Sequence, residues 1–516
     1  MVARSRTAVI VGVHARIVDV EADVRSGLPG LTIVGLADTA VSESRDRVRA
    51  AIEHSGLEWP RTRVTVALLP ASLPKRGSAL DAAIAVAILA ASQQVPEDAA
   101  AAACVLGELG LDGRIHAVPG AIAAALALHR AAAGSAQCAI RASRLLVPAS
   151  TVGEAGLVPG VDAGGVRDLA HLVSVLRGES DPERGGDDAQ TVRAPSGDLA
   201  DVRGQAEARR ALEVAAAGGH HLAMIGVPGV GKTLLAERLP GLMPVLDDAT
   251  ALEVTAIQSA AGLDPRGLVR HVPFQAPHHS ASTTAIVGGG QSGRLRIGAA
   301  TLAHRGILFL DEAPEFARSV LDALRQPLES GEVRIARADI SGVLPARFAL
   351  VLAANPCPCG KGMGTAAALC ACSSVERRRY AAKLTGPIMD RIDLRVALER
   401  PSLAQIGEPG ESTAVVAERV THARFRASSR WAAADVPWRV NAEAPGSVLR
   451  EHHAPDEAGA ELLRAAFRNG VLSMRGADRV LRVAWTLADL DGTARPGRDQ
   501  VAGAMVLRGG GVAWAA

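Results

Sequence analysis

The chain runs to 516 residues, 48% hydrophobic but only 2% aromatic, so it is expected to form two to four units with cores of Ala, Val, Leu and Ile. Its 56 basic and 54 acidic residues leave a formal charge of +2, which excludes a bulk basic surface and confines nucleic-acid contact to local patches. No apolar run approaches the ~18 residues of a membrane span, and MVARSRTAVIVGVHAR is too brief for a secretory signal, so a soluble cytoplasmic protein without disulfides is expected.

Alternating apolar positions in ARIVDVEADV, LTIVGL and RVTVALL predict strands. TAVSESRDRVRAAIEHSG predicts a helix capped near Asp38 or Thr39 and stopped at Gly56. DAAIAVAILAAS and GAIAAALALHRAAA predict two largely buried helices, so residues 1–176 read as a mixed α and β domain. RGESDPERGGDDAQTVRAPSG, residues 177–197, cannot bury enough apolar surface to fold and reads as a linker.

From 198 to 400 helices and strands alternate: EARRALEVAAA, HLAMIG, TLLAERL, GILFL and RSVLDALRQPLES. A hairpin, EVRIARADISGVLPARF, and a strand, ALVLAAN, follow. That order suits a parallel sheet covered by helices on both faces. Residues 401–516 read as helical, ending in VLRVAWTLADL with Val480, Val483, Ala484, Leu487 and Leu490 on one face.

GVPGVGKT, residues 226–233, completes the G-x-x-x-x-G-K-[ST] pattern between a predicted strand and helix. Gly226, Gly229 and Gly231 let the loop Gly226-Val227-Pro228-Gly229-Val230-Gly231 wrap a phosphate with backbone N–H groups, aided by the helix N-terminus. Lys232 would reach the β- and γ-phosphates of ATP and Thr233 would ligate Mg²⁺. GILFLDE brings two carboxylates to a strand end: Asp311 would hold Mg²⁺ through water, and Glu312 would polarise the attacking water. Asn355 closes the next strand, where its amide can sense the γ-phosphate and orient that water.

Four of the six cysteines fall just beyond Asn355, in NPCPCGKGMGTAAALCAC. Cys357, Cys359, Cys370 and Cys372 form C-x-C, ten residues, C-x-C, which suits a tetrahedral Zn²⁺ site; a redox-sensitive dithiol and no special role are the alternatives. Cys104 and Cys138 read as buried small hydrophobes.

These motifs, in this order, resemble AAA+ ATPases, and the finer wording resembles the magnesium-chelatase-like YifB/ComM family of bacterial competence-type proteins. DVRGQAEARRALEVAAAGGHHLAMIGVPGVGKT, FQAPHHSASTTAIVGGG, LAHRGILFLDEAPEF, VLDALRQPLESGEVRIARA and LTGPIMDRIDLRV carry the resemblance. LTIVGLADTAVSESRDRVRAAI and GELGLDGRIHAVPG extend it over nearly the whole chain. It implies an AAA+ P-loop core with a C-terminal helical lid, assembled as a homo-oligomeric ring, a hexamer, with ATP between subunits. Arg391 of MDRID would then be an arginine finger on a neighbour's nucleotide; the alternative is a partner for Asp390 or Asp393. SMRGADRVLRV resembles the lid motif that carries a second sensor, making Arg475 the candidate and Arg479 the alternate. Trp485 stands where many members have arginine, which leaves a role at that position open.

Residues 1–176 resemble the proteolytic domain of Lon-type proteases. PKRGSALDAA puts Ala79 where the nucleophilic serine belongs, and HAVPGAIAA puts Ile122 at the lysine position. Ser78 is one residue off with no lysine base in that register, so serine–lysine catalysis is not expected and the domain would serve assembly or substrate guiding.

EVRIARADIS resembles a hairpin that projects into the central pore of related helicases. Arg334 and Arg337 are read as alternating positions on one strand face, tracking DNA phosphates; a solvated hairpin edge is the alternative. FQAPHHSASTTAIVGGGQSGRLR falls where related proteins insert a second hairpin, and His278 and His279, as strand neighbours, would point apart and serve structural or loop roles. Scarce aromatics argue for sequence-independent phosphate contacts. The resemblance implies ATP-driven DNA branch migration; a magnesium-chelatase-type metal-insertase subunit and a chaperone-like remodeller are the rivals.

Overall fold

The computed structural model describes residues 1–35, 39–75, 77–134, 144–185, 197–263, 265, 267–291, 294–337, 340–384, 386, 388–407 and 410–509. Asp38, Cys138 and most of the expected linker, residues 186–196, lie outside them.

The N-terminal part is a seven-stranded sheet. Its order is Gly30–Val34, Arg63–Leu69, His14–Arg25, Val2–Val11, Ala103–Val105, Arg144–Pro148, Ala163–Val166. The long Val2–Val11 and His14–Arg25 pair is antiparallel, whereas the last three strands join in parallel. Helix Asp81–Ala91 is buried along all its length. Its run of Ala, Ile, Val and Leu has no polar face to offer water, so it lies inside the fold. The helices Thr39–His54 and Ala121–Gly134 also match their predicted stretches. Residues 177–185 stay attached to this sheet, since Gly165 and Glu183 exchange backbone hydrogen bonds of 2.7 and 2.9 Å.

The second sheet has five parallel strands, in the order Phe274–Gln275, Ile307–Leu310, Ala349–Ala354, Leu222–Gly226, Leu394–Leu398. Its side chains alternate between two cores: Leu222, Met224, Ile307, Phe309, Val351 and Ala353 face one, and Ala223, Leu308, Leu310, Leu350 and Leu352 the other. Burial on both faces explains why these strands read as continuous apolar runs. A parallel sheet whose strand Leu222–Gly226, between Ala349–Ala354 and the edge strand Leu394–Leu398, runs into the glycine loop is a P-loop NTPase core.

The stretch RSVLDALRQPLES departs from expectation. It forms two short helices, Arg318–Ala323 and Arg325–Ser330, because Pro327 has no N–H and its ring clashes with the carbonyl one turn back. Two antiparallel hairpins lie outside the two large sheets, Glu332–Arg337 with Ile340–Pro345 and Gly289–Gln291 with Arg294–Arg296, the first burying Val333, Ile335 and Leu344 in the core of Leu308 and Leu350. Beyond residue 401 the long elements are helices: Thr413–Ala433, Glu457–Arg468, Met474–Asp491 and Arg498–Gly509. Val416, Val420, Val480, Val483 and Leu487 join the same core as Leu222 and Met224, while Ala427, Trp431, Leu449, Leu481 and Trp485 form a second, smaller core among the C-terminal helices.

The two sheets are linked by helix Asp248–Ala260, whose Ser259 hydroxyl donates to the Glu154 carboxylate at 2.6 Å. Val13, at the turn of the first hairpin, packs in the core with Leu344. No helix among the described residues is long and apolar enough to cross a membrane.

Candidate nucleotide site and its surroundings

Strand Leu222–Gly226 delivers the chain into the glycine loop, and helix Lys232–Leu242 leaves it. A Cβ on Gly226 would meet the Leu398 carbonyl oxygen at 2.6 Å, so the neighbouring strand tolerates no side chain there. Gly229 and Gly231 have φ of +76° and +94°, the left-handed region glycine enters freely. Val227 and Val230 are buried and anchor the loop, while Pro228 is exposed.

Lys232 is buried, and its ammonium donates to the carbonyls of Gly226 at 2.7 Å and Val227 at 3.1 Å and to Asn355 Oδ1 at 3.1 Å. Burial lowers its pKa, and the Asp311 and Glu312 charges oppose that shift. The Thr233 hydroxyl donates to Asp311 Oδ2 at 2.7 Å. Hydroxyl and carboxylate oxygens side by side are the hard donors a Mg²⁺ ion takes while keeping several waters. Asp311 Oδ1 accepts from the Glu312 N–H at 2.9 Å, and Glu312 has a φ of 51°. These residues therefore come together as one constellation at the C-terminal ends of three neighbouring strands.

A contact the motifs did not foretell is His279 Nδ1 to Glu312 Oε2, 3.3 Å. Contrary to expectation, His278 and His279 do not point apart. They sit in a turn with ring centroids 4.1 Å apart, and the divergence of strand neighbours does not apply to a turn. The run PHHS gives no signal that it meets Glu312.

Arg391 and Arg475 lie elsewhere. Both line a cleft of about 800 Å³ with Gly306, Phe348 and His221, at the N-terminal ends of the core strands and opposite the glycine loop. Arg391 pairs with Glu329, not with Asp390 or Asp393. Burial first, and then Arg325, Arg479 and Arg475, lower its pKa. Arg479 is the partner of Asp393 and donates to the Arg391 carbonyl at 2.8 Å. Burial would raise the Asp393 carboxyl, but the His220 hydrogen bond and the Arg479 charge hold it well below the carboxylate range. Arg475 is exposed. Trp485 is buried among the C-terminal helices, its indole N–H donating to the His453 carbonyl at 2.9 Å and its ring 4.1 Å from the Arg430 guanidinium.

Arg334 is exposed and pairs with Glu332 at 3.5 Å. The ladder from Arg334↔Val343 to Arg337↔Ile340 is unbroken, so positions 334 and 337 fall on opposite faces of the hairpin, not on one. The Arg337 side chain lies outside the described part.

The four cysteine sulfurs lie within 4.8 Å of one another. Cys357 Sγ is 3.4 Å from Cys359 Sγ and 3.7 Å from Cys370 Sγ, with Cys359 to Cys370 at 3.6 Å. Burial pushes the Cys357 thiol up to about 12, whereas the Lys361 N–H holds Cys359 down to about 6. Cys104 is a buried small hydrophobe, pushed up to about 12 by burial.

In the N-terminal domain Ile122 is buried and Ala79 lies at the same core. Ser78 donates to the Glu108 carboxylate, and the buried Lys75 ammonium to the Pro70 carbonyl. Serine and lysine are thus engaged with other partners.

The chain matches three family models: "Magnesium chelatase, subunit ChlI" over residues 198–406, "Subunit ChlI of Mg-chelatase" over 20–140, and "Magnesium chelatase, subunit ChlI C-terminal" over 410–508. It is 49% identical to an uncharacterized protein of Mycobacterium tuberculosis over 98% of both chains. YifB of Escherichia coli is 41% identical over 94% of this chain and 92% of its own, and the competence protein ComM of Haemophilus influenzae 38% over 93% and 92%. A shorter match, 32% over 25% of this chain and 18% of the other, is to the zygotic DNA replication licensing factor mcm3 of Xenopus laevis. The chain belongs to the YifB/ComM family of magnesium-chelatase-like AAA+ proteins.

Proposed function

We propose that the chain is an ATP-hydrolysing ring motor that acts on DNA, driving branch migration in recombination or natural transformation. The observation that carries the hydrolysis is the meeting of Lys232, Thr233, Asp311, Glu312 and Asn355 at one sheet edge. Lys232 binds the β- and γ-phosphates, Thr233 and Asp311 hold Mg²⁺, Glu312 polarises water and Asn355 orients it. The cleft that holds Arg391 and Arg475 opens opposite the chain's own glycine loop, which supports their action on a neighbour's nucleotide in a ring, a hexamer in this reading. ATP and Mg²⁺ are the cofactors, with Zn²⁺ as a structural metal at the four cysteines.

The DNA reading is supported by two relatives, one named a competence protein and the other a DNA replication licensing factor. The exposed Arg334, on the solvent side of a hairpin strand that ends at Arg337, offers phosphate contacts without base readout. The family models' descriptions favour a second reading, the ATPase subunit of a metal insertase. ATP hydrolysis measured with branched DNA, with chelatase partner subunits and porphyrin, and with unfolded protein separates these loads from a chaperone-like one. Stimulation by DNA alone supports the proposal, and stimulation by either other load without DNA response overturns it.

A further inference from the structure

We propose that Cys357, Cys359, Cys370 and Cys372 hold a Zn²⁺ ion that locks the Asn355 loop onto the glycine loop, so that metal occupancy sets nucleotide affinity. The inference rests on the ATPase reading and adds a control to it.

The sulfurs already have the separation the metal requires. Zinc–sulfur bonds of about 2.3 Å in a tetrahedron put neighbouring sulfurs about 3.8 Å apart. The pairs among Cys357, Cys359 and Cys370 lie at 3.4, 3.6 and 3.7 Å, and the Cys372 sulfur is within 4.8 Å of all three. Four thiolates close the coordination shell and leave no position for water, so the site is structural and performs no chemistry itself.

The loop has little else to hold it. Among its described side chains only Cys357 and Gly360 are buried, and Leu369 is 69% exposed. A segment without a core of its own is ordered by a staple, and metal binding then supplies its folding energy.

Three contacts carry that order to the nucleotide. Asn355 opens the loop and accepts from Lys232 at 3.1 Å. Gly360, at φ +74°, lies so close to the glycine loop that a Cβ would come within 2.6 Å of Pro228 Cγ. Helix Ser374–Ala382 follows Cys372 at once and carries the buried Tyr380, close enough to the Asn355 N–H for that dipole to offset part of the rise that burial causes in the phenol's pKa. Asn355 thus lies between the start of the cysteine loop and the helix that follows it, and Gly360, just after Cys359, rests on Pro228. Without the metal, the loop loses what holds these three contacts together.

The test uses the full chain. Elemental analysis should give near one zinc per chain, and a fluorescent ATP analogue is titrated before and after a zinc-selective chelator, with Mg²⁺ present throughout. Nucleotide affinity should fall about tenfold on chelation, the scale of one charge-assisted hydrogen bond, and return on adding Zn²⁺. Cys370→Ser should lose both metal and affinity; should that variant not fold, the chelated natural chain gives the same comparison. Gly360→Ala separates the links: it should keep its zinc and still bind nucleotide more weakly. Equal affinity with and without zinc overturns the lock alone, and a zinc-free or disulfide-bonded cluster overturns the metal site. A zinc-loaded chain that binds no nucleotide overturns the ATPase reading and the lock with it.

Discussion

Lys232 Nζ and Asn355 Oδ1 lie 3.1 Å apart although 123 residues separate them. The glycine loop and the end of strand Ala349–Ala354 are thereby tied before any phosphate arrives, because Leu222–Gly226 and Ala349–Ala354 are adjacent parallel strands. Lys232→Ala should abolish nucleotide binding. Glu312→Gln should still bind ATP but hydrolyse it about 10²–10⁴-fold more slowly, the range for losing a positioned general base. Single-turnover hydrolysis at the parental rate in Glu312→Gln would refute the base assignment.

Arg391 is held by Glu329 at the end of the sheet away from Lys232. If it serves a neighbour, Arg391→Ala should slow hydrolysis about 10³–10⁵-fold with little loss of ATP binding. Mixed Arg391→Ala and Lys232→Ala subunits should regain activity, since some interfaces then contain both intact residues. No recovery at any mixing ratio would count against the shared site.

Acid should weaken the fold through His221. Burial holds its imidazole down to about 4 from 6.5, and its Nδ1 accepts from the Leu350 N–H at 3.0 Å. Between pH 6.5 and 4 the unfolded chain therefore binds a proton that the folded chain refuses. Stability present above pH 6.5 falls as pH drops through that window, by up to about 3 kcal/mol. Denaturant midpoints from pH 7 to pH 4.5 should show the decline, and His221→Asn, which accepts the same bond without titrating, should flatten it. An equally steep decline in His221→Asn would reject the assignment.

Trp485 belongs to the small core of the C-terminal helices, with Trp431 and Leu481. Enclosed by Arg430 and His453, it should cost about 3–5 kcal/mol when changed to alanine. Urea unfolding measures this, and a loss below about 1 kcal/mol would show that the side chain is not needed there.

What was legible in the sequence was chemistry carried by short, contiguous runs. GVPGVGKT and the FLDE strand end each fix backbone shape locally, so both landed where their patterns imply, and the cysteine spacing already pointed to a cluster. Contacts between distant segments were not legible. Nothing in the sequence joins Arg391 to Glu329 or His279 to Glu312, and Phe274–Gln275 is too short a strand to show a period. The helix break at Pro327 was legible, since proline cannot continue a helix past its first turn, yet the apolar spacing of RSVLDALRQPLES outweighs it when periodicity alone is followed.

The central claim is that ATP hydrolysis here drives DNA. The most direct measurement is resolution of a labelled four-way DNA junction by the purified chain with ATP and Mg²⁺, alongside the hydrolysis rate. ATP-dependent strand separation, a hydrolysis rate raised by the junction, and loss of both in Lys232→Ala are expected. Rising salt should weaken the effect, as phosphate contacts require. Hydrolysis unchanged by DNA, with the junction left intact, would contradict it.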